Sequence, residues 1–224
     1  MHNFDQFKAL VNDRRSMREF LPTPVSESEI KTIFETAQLA PSNCNTQPWH
    51  VAVVSGNSAE KVKKVLMGTI PNLQFQMDFP YDDGLYQDEH KARQIAAAKL
   101  INEAANVDRN DPQRHVKFLQ KNVNFYGAPH AAFIFMHDWC GIREASDVGM
   151  YAQNVLLAMR AKNIGSCPQT LLGFNADAVR EVLGIQPNLK LLFGISFGYF
   201  DSDKPLNQTR TARANIDDAV TFYN

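Results

Sequence analysis

Ala40-Pro41-Ser42-Asn43-Cys44-Asn45-Thr46-Gln47-Pro48-Trp49 is the stretch from which this chain is best read outward. It sets five hydrogen-bonding side chains, Ser42, Asn43, Asn45, Thr46 and Gln47, between two prolines and closes on a tryptophan. A loop that dense in donors and acceptors is costly to order unless something fills it. It therefore reads as a candidate ligand cradle on a rigid scaffold; a polar connecting loop made of turn residues is the alternative. Its flanks are regular. Upstream, Ser26 with Glu29 three residues on is a capping-box signature, and Ile30, Ile33, Phe34 and Ala37 supply an apolar stripe before Pro41 stops the helix. Downstream, His50-Val51-Ala52-Val53-Val54 reads as a short strand closed by Ser55-Gly56-Asn57.

Further out the pattern stays mixed. Phe4, Phe7, Leu10 and Val11 predict an opening amphipathic helix that runs into Arg14-Arg15-Ser16-Met17-Arg18, followed by the stiff link Pro22-Thr23-Pro24. Residues 58–68 read as a helix. The segment 69–128 differs in character, with prolines, Asp82-Asp83-Gly84 and long charged helical stretches; it reads as a helical excursion covering a site or a partner. Ala131-Ala132-Phe133-Ile134-Phe135-Met136 is continuously apolar, which predicts a central strand covered on both faces. Asp147 is expected to cap a helix buried through Val148, Tyr151, Ala152, Val155, Leu156 and Met159, with Gly165 as its stop. Asn175 is expected to cap a short helix ending at Gly184, and Leu189 to Phe200 to form a long strand whose Gly194 and Gly198 mark a close approach or a bulge. Without a βαβ rhythm, the expected class is α+β with an antiparallel or mixed sheet.

At 224 residues the chain is expected to form one domain. A net charge of -1 gives no bulk pull toward nucleic acid, and no apolar run is long enough to cross a bilayer. Cys44, Cys140 and Cys167 are odd in number and show no zinc spacing, so the expected compartment is the reducing cytoplasm. GxGxxG, GxxxxGK[ST], HExxH and GxSxG are all absent, and no acid–base or nucleophile constellation stands out.

Two basic groups remain. In extended backbone Arg14, Ser16 and Arg18 share one face, and two guanidiniums with a hydroxyl suit a phosphate; a solvated basic corner is the alternative. Arg210 and Arg213 lie near the other end of the chain and would converge on the same anion if the tail folds back. Ser166-Cys167-Pro168-Gln169-Thr170 follows Gly165 and leaves the amides of Gln169 and Thr170 available to a heterocycle edge. A phosphate clamp, a polar loop for a planar ligand and no triad together point to chemistry done by a bound cofactor.

These four segments, Arg14–Arg18, Ala40–Trp49, Gly165–Thr170 and Arg210–Arg213, resemble in order and spacing the FMN-dependent nitroreductase family, and the nitrobenzoate-reductase-like members within it. The resemblance covers nearly the whole chain apart from much of 69–128. It implies an α+β fold with a central, mostly antiparallel sheet flanked by helices. It also implies a homodimer with FMN at the interface and a C-terminal segment extended over the partner. Carried over by position, Arg14 and Ser16 match the phosphate-binding residues, Arg18 matches a cation nearer the ribityl chain and pyrimidine edge of the flavin, and Arg15 is counted with them in the cofactor site. Pro41, Ser42, Asn43, Asn45 and Gln47 match the loop that meets FMN, often from the second subunit. Pro168, Gln169 and Thr170 match the segment against one flavin face, and Arg210 or Arg213 the C-terminal phosphate ligand. The implied reaction is ping-pong: NAD(P)H reduces the flavin and leaves, and a small aromatic acceptor, nitroaromatic or quinone, takes its place. The 69–128 excursion would then be a lid, with Tyr86, Phe125 and Tyr126 as aromatic walls. Reductive dehalogenation, flavin fragmentation and a non-catalytic flavin-binding role are the alternatives.

Overall fold

The computed structural model describes residues 3–72, 75–108 and 110–223. The apolar run becomes β2 (His130–His137), inside a four-stranded sheet with β1 (Trp49–Ser55), β3 (Gly165–Gln169) and β4 (Leu189–Gly198) in the order β1-β2-β4-β3. Every neighbouring pair is antiparallel, as the α+β reading expects.

Successive side chains on a strand point to opposite faces, and β2 divides the core accordingly. Ala131, Phe133 and Phe135 pack into one cluster with α3 (Gly56–Thr69), α5 (Arg114–Val123) and α7 (Ala176–Leu183). Ala132, Ile134 and Met136 pack into the other with α2 (Glu27–Ala37) and α6 (Ile142–Ala161). Phe133 and Phe135 are fully buried, each contributing about 1.5–3 kcal/mol by area burial. A bulge at Leu192 shifts the β2–β4 register between Ile134 and Phe135. The strand glycines are close approaches: a Cβ at Gly194 would lie 2.6 Å from Leu172 and one at Gly198 2.8 Å from Pro129.

Several boundaries differ from expectation for identifiable reasons. α6 begins at Ile142 instead of after Asp147, because the Glu144 carboxylate accepts the Gly141 N–H (2.8 Å) and starts the helix earlier. Asp147 sits inside it with a different partner, described below. The helix stops at Asn163, which takes the left-handed conformation (φ +57°), whereas Gly165 is already in β3. Gly165 is small because Met17 and Phe200 press on it; a Cβ there would lie 2.7–2.8 Å from their side chains. α3 starts at Gly56 instead of residue 58, since the Ser58 hydroxyl turns back to accept the Ser55 N–H (3.1 Å). Ser26 caps α2 as expected: its hydroxyl accepts the Glu29 N–H at 3.3 Å and donates to the Glu29 carboxylate at 2.6 Å.

The excursion is two different things. α4 (Asp88–Ala104) buries no residue, while α5 carries Leu119 and Val123 into the core. Phe125 is fully buried edge-on to Phe133, so it is a core residue and no lid wall. α1 (Phe4–Asp13) forms as predicted, but its Phe4, Phe7 and Val11 are exposed within one chain.

Candidate functional site

The Arg14–Arg18 segment runs along the free edge of β3. Ser16 bridges Ser166 in parallel, and the Met17 N–H donates to the Ser166 carbonyl at 3.0 Å. The tail returns through α8 (Pro205–Gln208), whose Asn207 carbonyl accepts the Arg15 Nε–H at 2.6 Å. Arg14, Arg15, Ser16, Arg18, Arg210 and Arg213 consequently line one cavity of about 570 Å³, floored by Phe7 and Val11 of α1 and Ile101 of α4. The fold-back that sequence could only pose as a condition is present.

The arginines of this corner fall into two sets. Asp13 gathers Arg15 (3.2 Å), Arg160 of α6 and Arg210 (3.5 Å) around one carboxylate. Burial acts to raise the Asp13 pKa, but the Arg160 bond and the charges of Arg160, Arg15 and Arg210 outweigh it and hold the carboxyl below its usual range. Arg210 is further tied to the Asn12 carbonyl at 2.8 Å. Arg14, in contrast, has no carboxylate partner among the described residues; burial, and then the neighbouring Arg213 cation, push its pKa down. Among the described residues, Arg213 bonds the Thr211 hydroxyl and the carbonyls of Thr211 and Ala212 and no carboxylate. Two neighbouring cations that line one cavity without a carboxylate partner among the described residues have the charge to hold a di-anion. With the Ser16 hydroxyl beside them, the donor set fits a phosphate monoester.

Arg18 sits next door. Its guanidinium reaches the Ser16 carbonyl (3.4 Å) and the Tyr126 phenol, and it lies near the buried Cys167 thiol. Burial, above all, raises the Tyr126 phenol to about 12, so it stays neutral at physiological pH. Tyr126 and Phe125 both have positive φ (53° and 57°), a strained backbone that aims the ring at Arg18. Tyr126 also meets Asn122, which accepts the Gln169 amide at 3.0–3.2 Å, and Gln169 in turn takes the Ser196 hydroxyl. The Gln169 side chain is thus held inside the protein, and Pro168 and Thr170 are the exposed members of that run.

The polar loop lies elsewhere. The Asn43 N–H donates to the Asp147 carboxylate (3.0 Å), the Gln47 N–H to the Ser42 hydroxyl (2.9 Å), and Gln38 links the Gln47 amide to the Trp49 indole, which stacks on Tyr151. Cys44, Asn45 and Gln47 all have positive φ, and the side chains of Asn43 through Gln47 are exposed. Asp147 under the loop and Arg160 under the arginine corner belong to the same helix, about 20 Å apart at ~1.5 Å per residue. Within one chain, then, the corner and the 168–170 run come together and Pro41, Ser42, Asn43, Asn45 and Gln47 do not. Sequence reading missed Asp13 and Asn207: Asp13 has one local partner, Arg15, but Arg160 and Arg210, like the Arg15 and Arg18 partners of Asn207, lie far along the chain.

Among the described residues no helix is long and apolar enough to cross a membrane, and no cluster has the makeup of a metal site. The chain is similar to nitroreductase NfnB of Mycolicibacterium smegmatis, 40% identical over 95% of this chain and 91% of that protein. It is similar to 4-nitrobenzoate reductase of Pseudomonas putida, 29% identical over 93% and 92%. The crystal structure of the FMN-dependent NfnB of Mycobacterium smegmatis in complex with NADPH superposes with a TM-score of 0.95, covering 99% of this chain and 100% of that one at 39% identity. With the nitroreductase family also matching residues 11–199, the chain belongs to the nitroreductase family.

Proposed function

We propose that this chain is an FMN-dependent NAD(P)H oxidoreductase that reduces nitroaromatics, quinones or related small acceptors. In this reading it works as a homodimer whose flavin site joins the arginine corner of one subunit to the polar loop of the other. The observation that carries the reading is the uncompensated Arg14–Arg213 pair with Ser16 in a cavity edged by β3. The names and bound cofactors of the relatives support the redox assignment.

When bound, FMN supplies the redox chemistry, accepting hydride from NAD(P)H and passing electrons to the acceptor. The chain's own residues bind and polarise. Arg14, Ser16 and Arg213 hold the phosphate; Arg213 is preferred to Arg210, whose guanidinium is already tied to Asn12 and Asp13. Arg18, held by neutral Tyr126, supplies a fixed positive charge to the flavin edge that gains electron density on reduction. Pro168 and Thr170 present the end of β3 to the ring, and Arg15 and Gln169 brace the cradle from behind. Ser42, Asn43, Asn45 and Gln47 reach the flavin from the partner, which accounts for a strained, exposed loop about 20 Å from its own corner. The exposed Phe4, Phe7 and Val11 of α1 and Phe222 and Tyr223 of the tail support a second subunit packed over them. α4 acts as a lid over the acceptor, anchored at one foot by the buried Asp78–Arg180 pair and at the other by α5. A cytoplasmic location agrees with three free thiols, Cys44, Cys140 and Cys167.

The test is an absorbance spectrum of the purified protein with the heat-released chromophore matched to FMN and FAD standards, then bleaching with NADPH and reoxidation with 4-nitrobenzoate. About one FMN per chain that bleaches and recovers is expected. A colourless protein that stays so after incubation with FMN overturns the assignment.

A further inference from the structure

We propose that Asn207 is a positioning residue that keys the C-terminal arginines to the N-terminal ones and so sets the selectivity of the cofactor site for a phosphorylated flavin. The inference rests on the cofactor reading above. Asn207 is fully buried. Its Oδ1 accepts the backbone N–H of Arg18 at 2.7 Å and of Glu19 at 3.2 Å, and its Nδ2 donates to the carbonyls of Glu19 at 2.7 Å and Asp201 at 2.8 Å. A primary amide has two donors and an acceptor with two lone pairs, and all are engaged. Its backbone carbonyl takes the Arg15 Nε–H. One residue thus fastens three consecutive features: the Arg15 guanidinium, the backbone that carries Arg18, and the strand exit at Asp201.

The chemistry explains why asparagine stands here. Aspartate would set a carboxylate against two carbonyls, and glutamine would overshoot by a methylene. The clasp also fixes where the tail goes next. The Thr209 hydroxyl closes on the Leu206 carbonyl at 2.8 Å, and Arg210 then reaches Asn12. Arg213 arrives beside Arg14 without any side-chain bond of its own to the N-terminal segment among the described residues. Its placement depends on the anchor before it. Removing the anchor returns conformational freedom to the tail, and the phosphate must then order it. On the isoalloxazine side, β3 and the Tyr126–Asn122–Gln169 chain make no bond to Asn207 among the described residues, and the Arg18 guanidinium keeps its own contacts to the Ser16 carbonyl and Tyr126.

The experiment titrates FMN and riboflavin, which lacks the phosphate, into flavin-free protein. Wild type, Asn207→Ala, Asn207→Asp and the core variant Val62→Ala are compared, with Val62 fully buried on α3. Wild type should prefer FMN. Both Asn207 variants should lose about tenfold in FMN affinity and little for riboflavin, while Val62→Ala keeps the preference. An unchanged FMN-to-riboflavin ratio in Asn207→Ala, or an equal loss in Val62→Ala, overturns the inference. Amide exchange on the unaltered chain needs no variant to fold: the Arg18 and Glu19 amides should be protected before FMN is added, and free exchange there overturns it equally. A wild-type protein that binds neither flavin sinks the cofactor reading instead.

Discussion

The arginine corner and the polar loop are both polar, both border the proposed site and both break the regular core, yet they are built in opposite ways. The corner is closed by contacts between segments far apart in the chain: Asn207 to Arg18 spans 189 positions and Asp13 to Arg160 on α6 spans 147. The loop is held mostly by partners within eleven positions, plus a long-range bond to Asp147 and the stack of Trp49 on Tyr151, and it keeps three non-glycine residues at positive φ. A segment finished by its own chain presents a preorganised charge. A strained segment with its side chains exposed is finished by something else. In the dimer proposed above, that difference assigns the corner to one subunit and the loop to the other.

The largest effect separates the tail into two parts. A chain cut after Phe200 loses Asn207 and Arg213 and should retain no FMN and form no stable dimer. A chain cut after residue 213 keeps the corner and should bind FMN, weakly, while failing to dimerise, since residues 214–223 are exposed on their own subunit. Gel filtration with flavin absorbance checks both; equal behaviour of the two truncations would erase the division.

Arg14→Ala should come next. Losing charge-assisted bonds to a phosphate costs about 1.5–3 kcal/mol, or roughly ten- to a hundredfold in Kd by fluorescence titration. Unchanged affinity would place the phosphate elsewhere and break the comparison at its stronger side.

The comparison is sharpened by mixing. Arg14→Ala chains and Ser42→Ala/Asn43→Ala chains should each reduce acceptors poorly, while a refolded mixture should recover activity, because a heterodimer contains one site with an intact corner and an intact loop. That recovery is expected only if loop and corner come from different chains. No recovery would return the loop to its own subunit.

The smallest effect is acid sensitivity. The folded pKa of Asp13 is lowered from 3.8, with the pull of the arginines exceeding the opposing effect of burial. A depressed folded pKa means the stabilisation is fully present above the unfolded value and is lost as pH falls through the folded one. FMN retention should therefore persist down to about pH 4 and fail below it, and Asp13→Asn should flatten that acid limb. An acid limb unchanged in the variant would remove Asp13 from the account.

What was legible in the chain follows one physical line. Signals carried by a few adjacent residues were readable: the Ser26–Glu29 cap, the apolar run of β2, the glycines of β4 pressed by Leu172 and Pro129, and the donors of 41–47. Where two local signals competed, the reading slipped. Asp147 looks like a cap because it precedes an apolar stripe, but Glu144 three residues after Gly141 starts the helix earlier, which frees Asp147 to hold the loop. Phe125 looks like a wall because it stands in a polar excursion, but α5 folds into the core and takes it along.

The sequence by itself determined the α+β class, the helical and strand periods, and where the basic and donor-rich segments lie, because capping, side-chain alternation and donor chemistry act over one or two turns of chain. Only the tertiary structure decided that Arg213 instead of Arg210 stands beside Arg14, that Asp13 pairs with Arg15, Arg160 and Arg210, and that Asn207 joins the two ends. Those choices depend on backbone groups brought together across the whole length of the chain, and a hydrogen bond of that span leaves no mark on the residues around it.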